Sequence, residues 1–360
     1  MYIQLVKFMK NLLIIFGGCS SEYEISLRST ASVLRNVDKT KYCIHTIGIT
    51  KDGRWYYYNG SVEDIESDNW HKNGCTTPAV LSPDRADKSV LVLEENGFRK
   101  IKIDVIFPVL HGKNGEDGTI QGIFELAAIP YVGCTPLASG MCMDKAVTNM
   151  VADNAQINGA KWVAFTDSQY KGNEIDLDEV EAKLGYPIFV KPANAGSSVG
   201  ISKAHNRNEL SAALEIAFKN DYKAVLEETL VGREIEVAVM GNENPVASCV
   251  GEILPDVEFY DFDAKYSSAS ATRLAIPAEL TEEQSETVRE EAIKAYKALG
   301  CTGLSRVDFF LVDGKPYLNE INTLPGFTSI SMFAKLFGHV GISYSELIDK
   351  LVEYAEDRMK

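Results

Sequence analysis

Apolar and polar residues alternate in blocks along the first third of the chain. Residues 12–16 are an unbroken apolar run closed by Gly17 and Gly18, which predicts a buried strand entering a turn. Residues 22–36 carry apolar side chains at helical spacing, and strands are expected over 43–49 and 104–110, with a helix over 119–128. This alternation predicts a parallel α/β arrangement, in which ligands gather at the carboxyl ends of strands. Around Cys134-Thr135-Pro136 the chain turns into a helix that runs through Asp144 and Lys145. The middle third predicts strands over 161–165, 188–191 and 200–203 and a helix over 208–218. Further strands are expected over 224–227, 234–240, 246–253, 304–312 and 316–322. A helix over 281–299 stops at Gly300, and another over 343–354 closes the chain. Residues 256–272 are polar and weakly periodic, as expected of a long surface loop. There are no internal repeats or low-complexity linkers.

The length of 360 residues suffices for two or three domains of an α/β fold. The net charge of -15 argues against nucleic acid and anionic membranes as partners. It also means that an anionic ligand needs locally concentrated lysines and backbone donors. The seven cysteines are odd in number, and no pair is spaced CxxC. This fits reduced thiols in a cytoplasmic protein rather than a disulfide framework or a zinc knuckle. The N-terminal lysines and apolar run mimic a secretory signal, but the run is short and ends in two glycines with no small-residue cleavage site. Met9 is an alternative start, and no run is long enough to span a bilayer.

The sequence lacks GxxxxGK[ST], GxGxxG and HExxH. Its candidate chemistry lies in four segments. Arg306 and Asp308 share a face of one predicted strand, and Glu320 and Asn322 share a face of the next. If these pair as a hairpin through Asp313-Gly314, two carboxylates and an amide form a hard donor set suited to magnesium. A solvated hairpin face is the alternative. In the second segment, Lys191 ends a strand and precedes Gly196-Ser197-Ser198-Val199-Gly200, where glycine amides and hydroxyls suit an anion. A plain turn would look the same. Lys145 and Lys265 also stand in polar, turn-rich settings, as do many surface lysines. The third segment, Glu227 to Leu230 followed by Glu234, fits an adenine slot or an exposed acidic turn. In the fourth, Glu22 opens a helix, either as a dipole partner or as a site for a substrate ammonium.

In this order the segments resemble the ATP-grasp superfamily and, within it, the D-alanine:D-alanine ligase family. The resemblance runs from about residue 12 to 354 and rests on GGCSSEYEISL, VLHGKNGEDGTIQGIFEL, Met143 to Lys145, KPANAGSSVG, FYDFDAKY, SRVDFF and NEINTLPGFTS. It implies three α/β domains, 1–133, 134–226 and 227–360, with ATP clamped between the last two. By resemblance, Lys145, Lys191 and Lys265 contact phosphates, Glu227 and Leu230 border adenine, and Glu234 holds ribose. Asp308, Glu320 and Asn322 ligate two magnesium ions, with manganese as an alternative. Glu22, Ser197 and Tyr266 form a hydrogen-bonded group beside the substrates, Glu22 on the first D-alanine's ammonium. Arg306 and the Gly326 N–H hold an oxyanion, Ser331 binds the second D-alanine's carboxylate, and His111 lies near the first. A homodimer and a role in supplying peptidoglycan precursors are further implications.

Such chemistry accounts for the residue types. A carboxylate is a poor electrophile and is first phosphorylated, so cations must offset the crowded charge. The resulting acyl phosphate needs shielding from water, which makes residues 256–272 an expected lid carrying Lys265 and Tyr266. GITKDGRWYYY and FPVLHGKNGEDGT are also similar to vancomycin-resistance-type ligases that use D-serine or D-lactate second. The Lys265-Tyr266 pair, and apolar Met332 where those enzymes tend to carry arginine, favour D-alanine. A non-catalytic ATP-binding sensor should have lost a metal ligand or Arg306, and none is lost. The segments at Glu22 and 326–331 argue against other ATP-grasp carboxylate-amine ligases.

Overall fold

A computed structural model describes residues 9–196, 199–254 and 273–360. Ser197, Lys265, Tyr266 and the expected lid over 256–272 lie outside the described residues. Three sheets organise the rest. In the N-terminal sheet, strand Lys10–Gly17 lies between Tyr42–Ile49 and Val105–Val109 and runs parallel to both. Its apolar run is buried on both faces. Leu12, Ile14 and Phe16 enter one core, while Leu13 and Ile15 enter another with Phe124. A strand buried on both faces has no polar positions to alternate, hence the unbroken run.

The sheet is only partly parallel. Four antiparallel strands, Trp55–Tyr58, Thr76–Leu81, Ser89–Glu94 and Gly97–Lys102, extend it on one side. The parallel α/β expectation therefore holds for three strands and misses four. These strands are short, and the outermost buries only Ile101, so neither an apolar run nor a clear alternation marks it.

The central sheet is antiparallel, in the order Ser202–Ala204, Ile188–Pro192, Lys223–Glu228, Trp162–Thr166. Helices Leu177–Leu184 and Arg207–Asn220 cover the face formed by Ile188, Val190, Ala224 and Leu226. Lys191 and Glu227 alternate onto the opposite face. The C-terminal sheet is also antiparallel and contains Arg233–Gly241, Gly303–Val312 and Lys315–Asn322 as neighbours. One face, with Ile235, Val237, Val307 and Phe309, packs on helix Glu282–Ala298. That helix begins at a capping box between Thr281 and Gln284. Helices Pro136–Met143 and Lys145–Asn154 join the same core through Ala138, Cys142 and Ala152. They precede the central sheet in sequence but pack on the C-terminal one.

On its other face the C-terminal sheet shares a core with the N-terminal sheet. Ala238, Met240 and Leu304 meet Leu12, Ile14 and Phe16, with Phe327 and helices Met332–His339 and Tyr344–Arg358 between them. Arg358 closes this junction. It donates to the Tyr131 carbonyl at 3.0 Å and stacks 4.2 Å from that residue's ring centroid. No helix among the described residues is long and apolar enough to cross a membrane.

The turn after the first strand requires glycine. Gly17 has φ +87°, and its N–H donates to Ser26 Oγ at 2.8 Å. A Cβ there would lie 2.1 Å from the Ile49 carbonyl oxygen, a backbone atom that cannot move aside. Gly17→Ala is expected to destabilise the protein by about 3 kcal/mol, from left-handed strain plus the clash, read as a lowered denaturant midpoint.

Candidate active site

The hairpin of Gly303–Val312 and Lys315–Asn322 turns at Asp313 (φ 48°) and Gly314 (φ 77°). Two left-handed residues match the twist of a tight hairpin. Its register pairs Arg306 with Asn322 and Asp308 with Glu320. The register then shifts, so that Phe309 pairs with Leu318 and Asn319 is the extra residue of a bulge. The bulge reconciles two demands. Leu318 and Ile321 both enter the apolar core although they stand three positions apart, and Glu320 and Asn322 keep the face of Arg306 and Asp308.

Arg306 binds Asp308 bidentately, Nε to Oδ1 at 2.7 Å and Nη2 to Oδ2 at 2.6 Å. Its Nε also lies 3.1 Å from Glu236 Oε2 on the neighbouring strand. Asn322 Nδ2 donates to Asp308 Oδ2 at 3.0 Å. Burial opposes the guanidinium charge, but Asp308, Glu236 and Glu320 outweigh it and hold the pKa above its ordinary value. Carboxylate and amide oxygens are the donor types that magnesium takes, so the residues fit a divalent ion. Among the described residues, no three acidic, His or Cys side chains already form a cage. Arg306 occupies both Asp308 oxygens, so a bound cation would share Asp308 with it.

The central sheet faces this cluster. Lys191 Nζ lies 2.5 Å from Glu227 Oε2 and reaches 3.5 Å from Asn319 Oδ1 at the bulge. Asn149 Nδ2 donates to the other Glu227 oxygen at 3.1 Å. Lys145 opens helix Lys145–Asn154 behind the N-cap Asp144, and its Nζ donates to the Ala195 carbonyl at 2.7 Å, which ties it to the glycine loop. Leu230 is half-buried just past strand Lys223–Glu228. Glu234 pairs with Phe310, and alternation gives it the face of Glu236.

The third group joins the N-terminal domain to the loop after the hairpin. Glu22 is the N-cap residue of helix Tyr23–Asn36, but its side chain makes no capping hydrogen bond. Its carboxylate abuts two glycines, since a Cβ would lie 2.3 Å from Glu22 Oε2 at Gly112 and 2.9 Å at Gly196. His111 is buried, with Nδ1 2.9 Å from the Leu324 carbonyl and Nε2 3.3 Å from Ser29 Oγ. Burial would lower the His111 pKa, but Glu116, with help from Glu22 and the Leu324 carbonyl, raises it above the ordinary value. Ser331 Oγ accepts the Thr328 N–H at 2.9 Å, and a Cβ on Gly326 would sit 2.9 Å from that oxygen. The 326–331 loop thus folds over Ser331.

Glu236, Asn319, Asn149, Glu116 and Ser29 escaped the sequence reading. Glu236 alternates with Glu234 along a predicted strand, so its face was legible. Ser26, Ser29 and Thr30 form a polar stripe on the buried side of their helix, at a spacing that could have been noticed.

The "D-ala D-ala ligase N-terminus" family profile matches residues 11–134, and the "D-ala D-ala ligase C-terminus" profile matches 151–353. The chain belongs to the D-ala D-ala ligase family. The D-alanine--D-alanine ligases of Acetivibrio thermocellus and Ruminiclostridium cellulolyticum are each 50% identical to it, with 97% of this chain and 96% of each relative covered. Among solved structures, the VanG D-Ala:D-Ser ligase from Enterococcus faecalis superposes at a TM-score of 0.89 with 42% identity, covering 97% of this chain and all of that one. The D-alanine-D-alanine ligase from Coxiella burnetii gives 0.83 at 32% identity over 97% of this chain and 96% of its own. The ATP-grasp α/β fold expected of a D-ala D-ala ligase is therefore the fold observed.

Removing Arg306 would leave Glu236 and Asp308 facing each other on a largely buried surface. Arg306→Ala is expected to cost about 2 kcal/mol in a denaturant melt, below the range for a fully buried pair because its side chain is 22% exposed.

Proposed function

We infer that this chain joins two D-alanines at the expense of ATP, through D-alanyl phosphate, and so supplies D-alanyl-D-alanine to peptidoglycan synthesis. The observation that carries this reading is the Arg306–Asp308–Asn322 cluster met by Lys191 across the sheet boundary. It sits in a chain 50% identical to D-alanine--D-alanine ligases over nearly their full length. The three-domain division is part of this proposal and is supported by the presence of three sheets, although the boundary at 226 falls inside the central-sheet strand Lys223–Glu228 and helices Pro136–Met143 and Lys145–Asn154 pack on the third sheet. A cytoplasmic homodimer using two magnesium ions, or manganese, completes the proposal.

Divalent metal held by Asp308, Glu320 and Asn322 would offset charge between the nucleotide and an attacking carboxylate. Lys191 and Lys145, with Lys265 outside the described residues, bind the phosphates, and the glycine loop with Ser197 adds donors. Glu227 and Leu230 border adenine, and Glu234 holds ribose. Glu22 holds the first D-alanine by its ammonium, beside Tyr266. The second D-alanine is oriented by Ser331, and its nitrogen lone pair forms the C–N bond. The carbonyl pair moves onto oxygen, where Arg306 and the Gly326 N–H stabilise it. Return of that pair expels phosphate, and the nitrogen loses its surplus proton.

A second reading, D-serine as second substrate, is favoured by the likeness to VanG. Met332 does not decide between them. It is buried in the shared core, with its sulfur 2.9 Å from where a Gly251 Cβ would be, so it packs inward instead of lining a substrate pocket. The preference for D-alanine rests on the relatives named above.

Phosphate release and products with D-alanine, D-serine, L-alanine and D-lactate in parallel test both readings. D-alanine alone is expected to give stoichiometric phosphate and D-alanyl-D-alanine. A mixed D-alanyl-D-serine product in excess would select the second reading, and no phosphate with any substrate would leave only a binding scaffold.

A further inference from the structure

We propose that Ser29 is a positioning residue for the second half of the reaction, fixing with His111 the loop that aims the Gly326 N–H at the oxyanion. The proposal deepens the ligase reading above and depends on it.

Ser29 lies on helix Tyr23–Asn36, far in sequence from the loop it holds, and its side chain is fully buried. The Phe327 N–H donates to Ser29 Oγ at 3.1 Å. The hydroxyl also meets His111 Nε2 at 3.3 Å, and His111 Nδ1 meets the Leu324 carbonyl at 2.9 Å. A carbonyl only accepts, so Nδ1 carries a proton. When the ring is neutral, Nε2 accepts from the Ser29 hydroxyl. When it is protonated, Nε2 donates to that oxygen. A hydroxyl oxygen has two lone pairs, so it still accepts the Phe327 N–H in either state. The Tyr344 hydroxyl donates to the Phe327 carbonyl from the other side.

Four groups therefore fix residues 324–327: the His111 ring on Leu324, Ser29 and Tyr344 on the two sides of Phe327, and the aromatic contacts of Phe327 with Phe107 and Phe333 at 5.6 and 5.5 Å. Gly326 lies between the anchored Leu324 carbonyl and the anchored Phe327 amide. As a glycine it has no side chain to hold its own orientation, so its neighbours decide where its N–H points. Both ring nitrogens of His111 are engaged in this network, which makes His111 a strut between helix Tyr23–Asn36 and the 324–327 loop. Alanine at 29 would leave the Phe327 N–H without a partner inside the core, and the loop would gain by turning that amide elsewhere. The rings alone would then hold Phe327, and rings do not specify a peptide plane.

Oxyanion stabilisation belongs to amine attack and not to phosphorylation of the first D-alanine. Ser29→Ala is expected to lower kcat for dipeptide synthesis about tenfold or more while the KM for ATP stays within about twofold, because misplacement of a catalytic donor acts on the transition state. Acyl phosphate that waits longer is lost to water, so phosphate released per dipeptide should rise above its wild-type value. Ser29→Cys keeps a weak donor and acceptor in nearly the same volume and should recover part of kcat and of the ratio. Melting midpoint and stoichiometric ATP binding give the folded fraction of each variant. The proposal is overturned if Ser29→Ala keeps kcat within twofold and an unchanged ratio, or if its loss only tracks the folded fraction. If Ser29→Ala does not fold, Ser29→Cys carries the test, and a wild-type ratio with wild-type kcat overturns it. Wild-type protein that makes no dipeptide would sink the ligase reading and this proposal together, whereas normal wild-type synthesis with an unaffected variant sinks this proposal alone.

Discussion

The guanidinium of Arg306, held between Asp308 and Glu236, is the interaction on which the rest depends. It stands on a sheet face that is apolar further along, where Ala238, Met240 and Leu304 enter the core shared with the N-terminal sheet. Carboxylates so near an apolar core are costly without a counter-charge. The pairing lets the strands carry acids on the cleft side while their other face stays in the core with Val307 and Phe309. In the proposed reaction the same charge that stabilises the resting cluster would meet the negative charge of the oxyanion, so structural and chemical demands would fall on one side chain.

The bulge at Asn319 is what makes the cluster compatible with packing. A regular strand would have placed Leu318 and Ile321 on opposite faces, sending one of them into the cleft. The extra residue restores both to the core and puts Asn319 where Lys191 arrives from the central sheet. Contact between two sheets is thereby set by a defect in one of them. The N-terminal sheet joins through the shared core and through backbone contacts of the 324–331 loop with His111, Ser29 and Tyr344.

Family likeness and site geometry carry different parts of the reading. The backbone resembles D-alanine and D-serine ligases closely, as expected when the nucleotide machinery is common to both. In the proposed reaction the choice of second substrate would fall to a few side chains around 326–332, and of these Met332 faces the core. A residue type at a helix start says little about specificity until its direction is known.

The sequence by itself determined which residues share a face. Alternation along 304–312 and 316–322 placed Arg306 with Asp308 and Glu320 with Asn322, and Asp313-Gly314 marked the hairpin that pairs them. Helix 281–299 and the first buried strand were legible for the same reason, because their period and caps are local properties of the chain. The antiparallel strands of 55–102 were not; the one at the edge, Gly97–Lys102, buries only Ile101 and leaves no pattern. The bulge, the approach of Lys191 to Asn319, the Glu236 counter-charge and the bond from Phe327 to Ser29 were decided only by tertiary structure. Each depends on how separate elements pack, and residues 298 positions apart, as Ser29 and Phe327 are, leave no local trace of meeting.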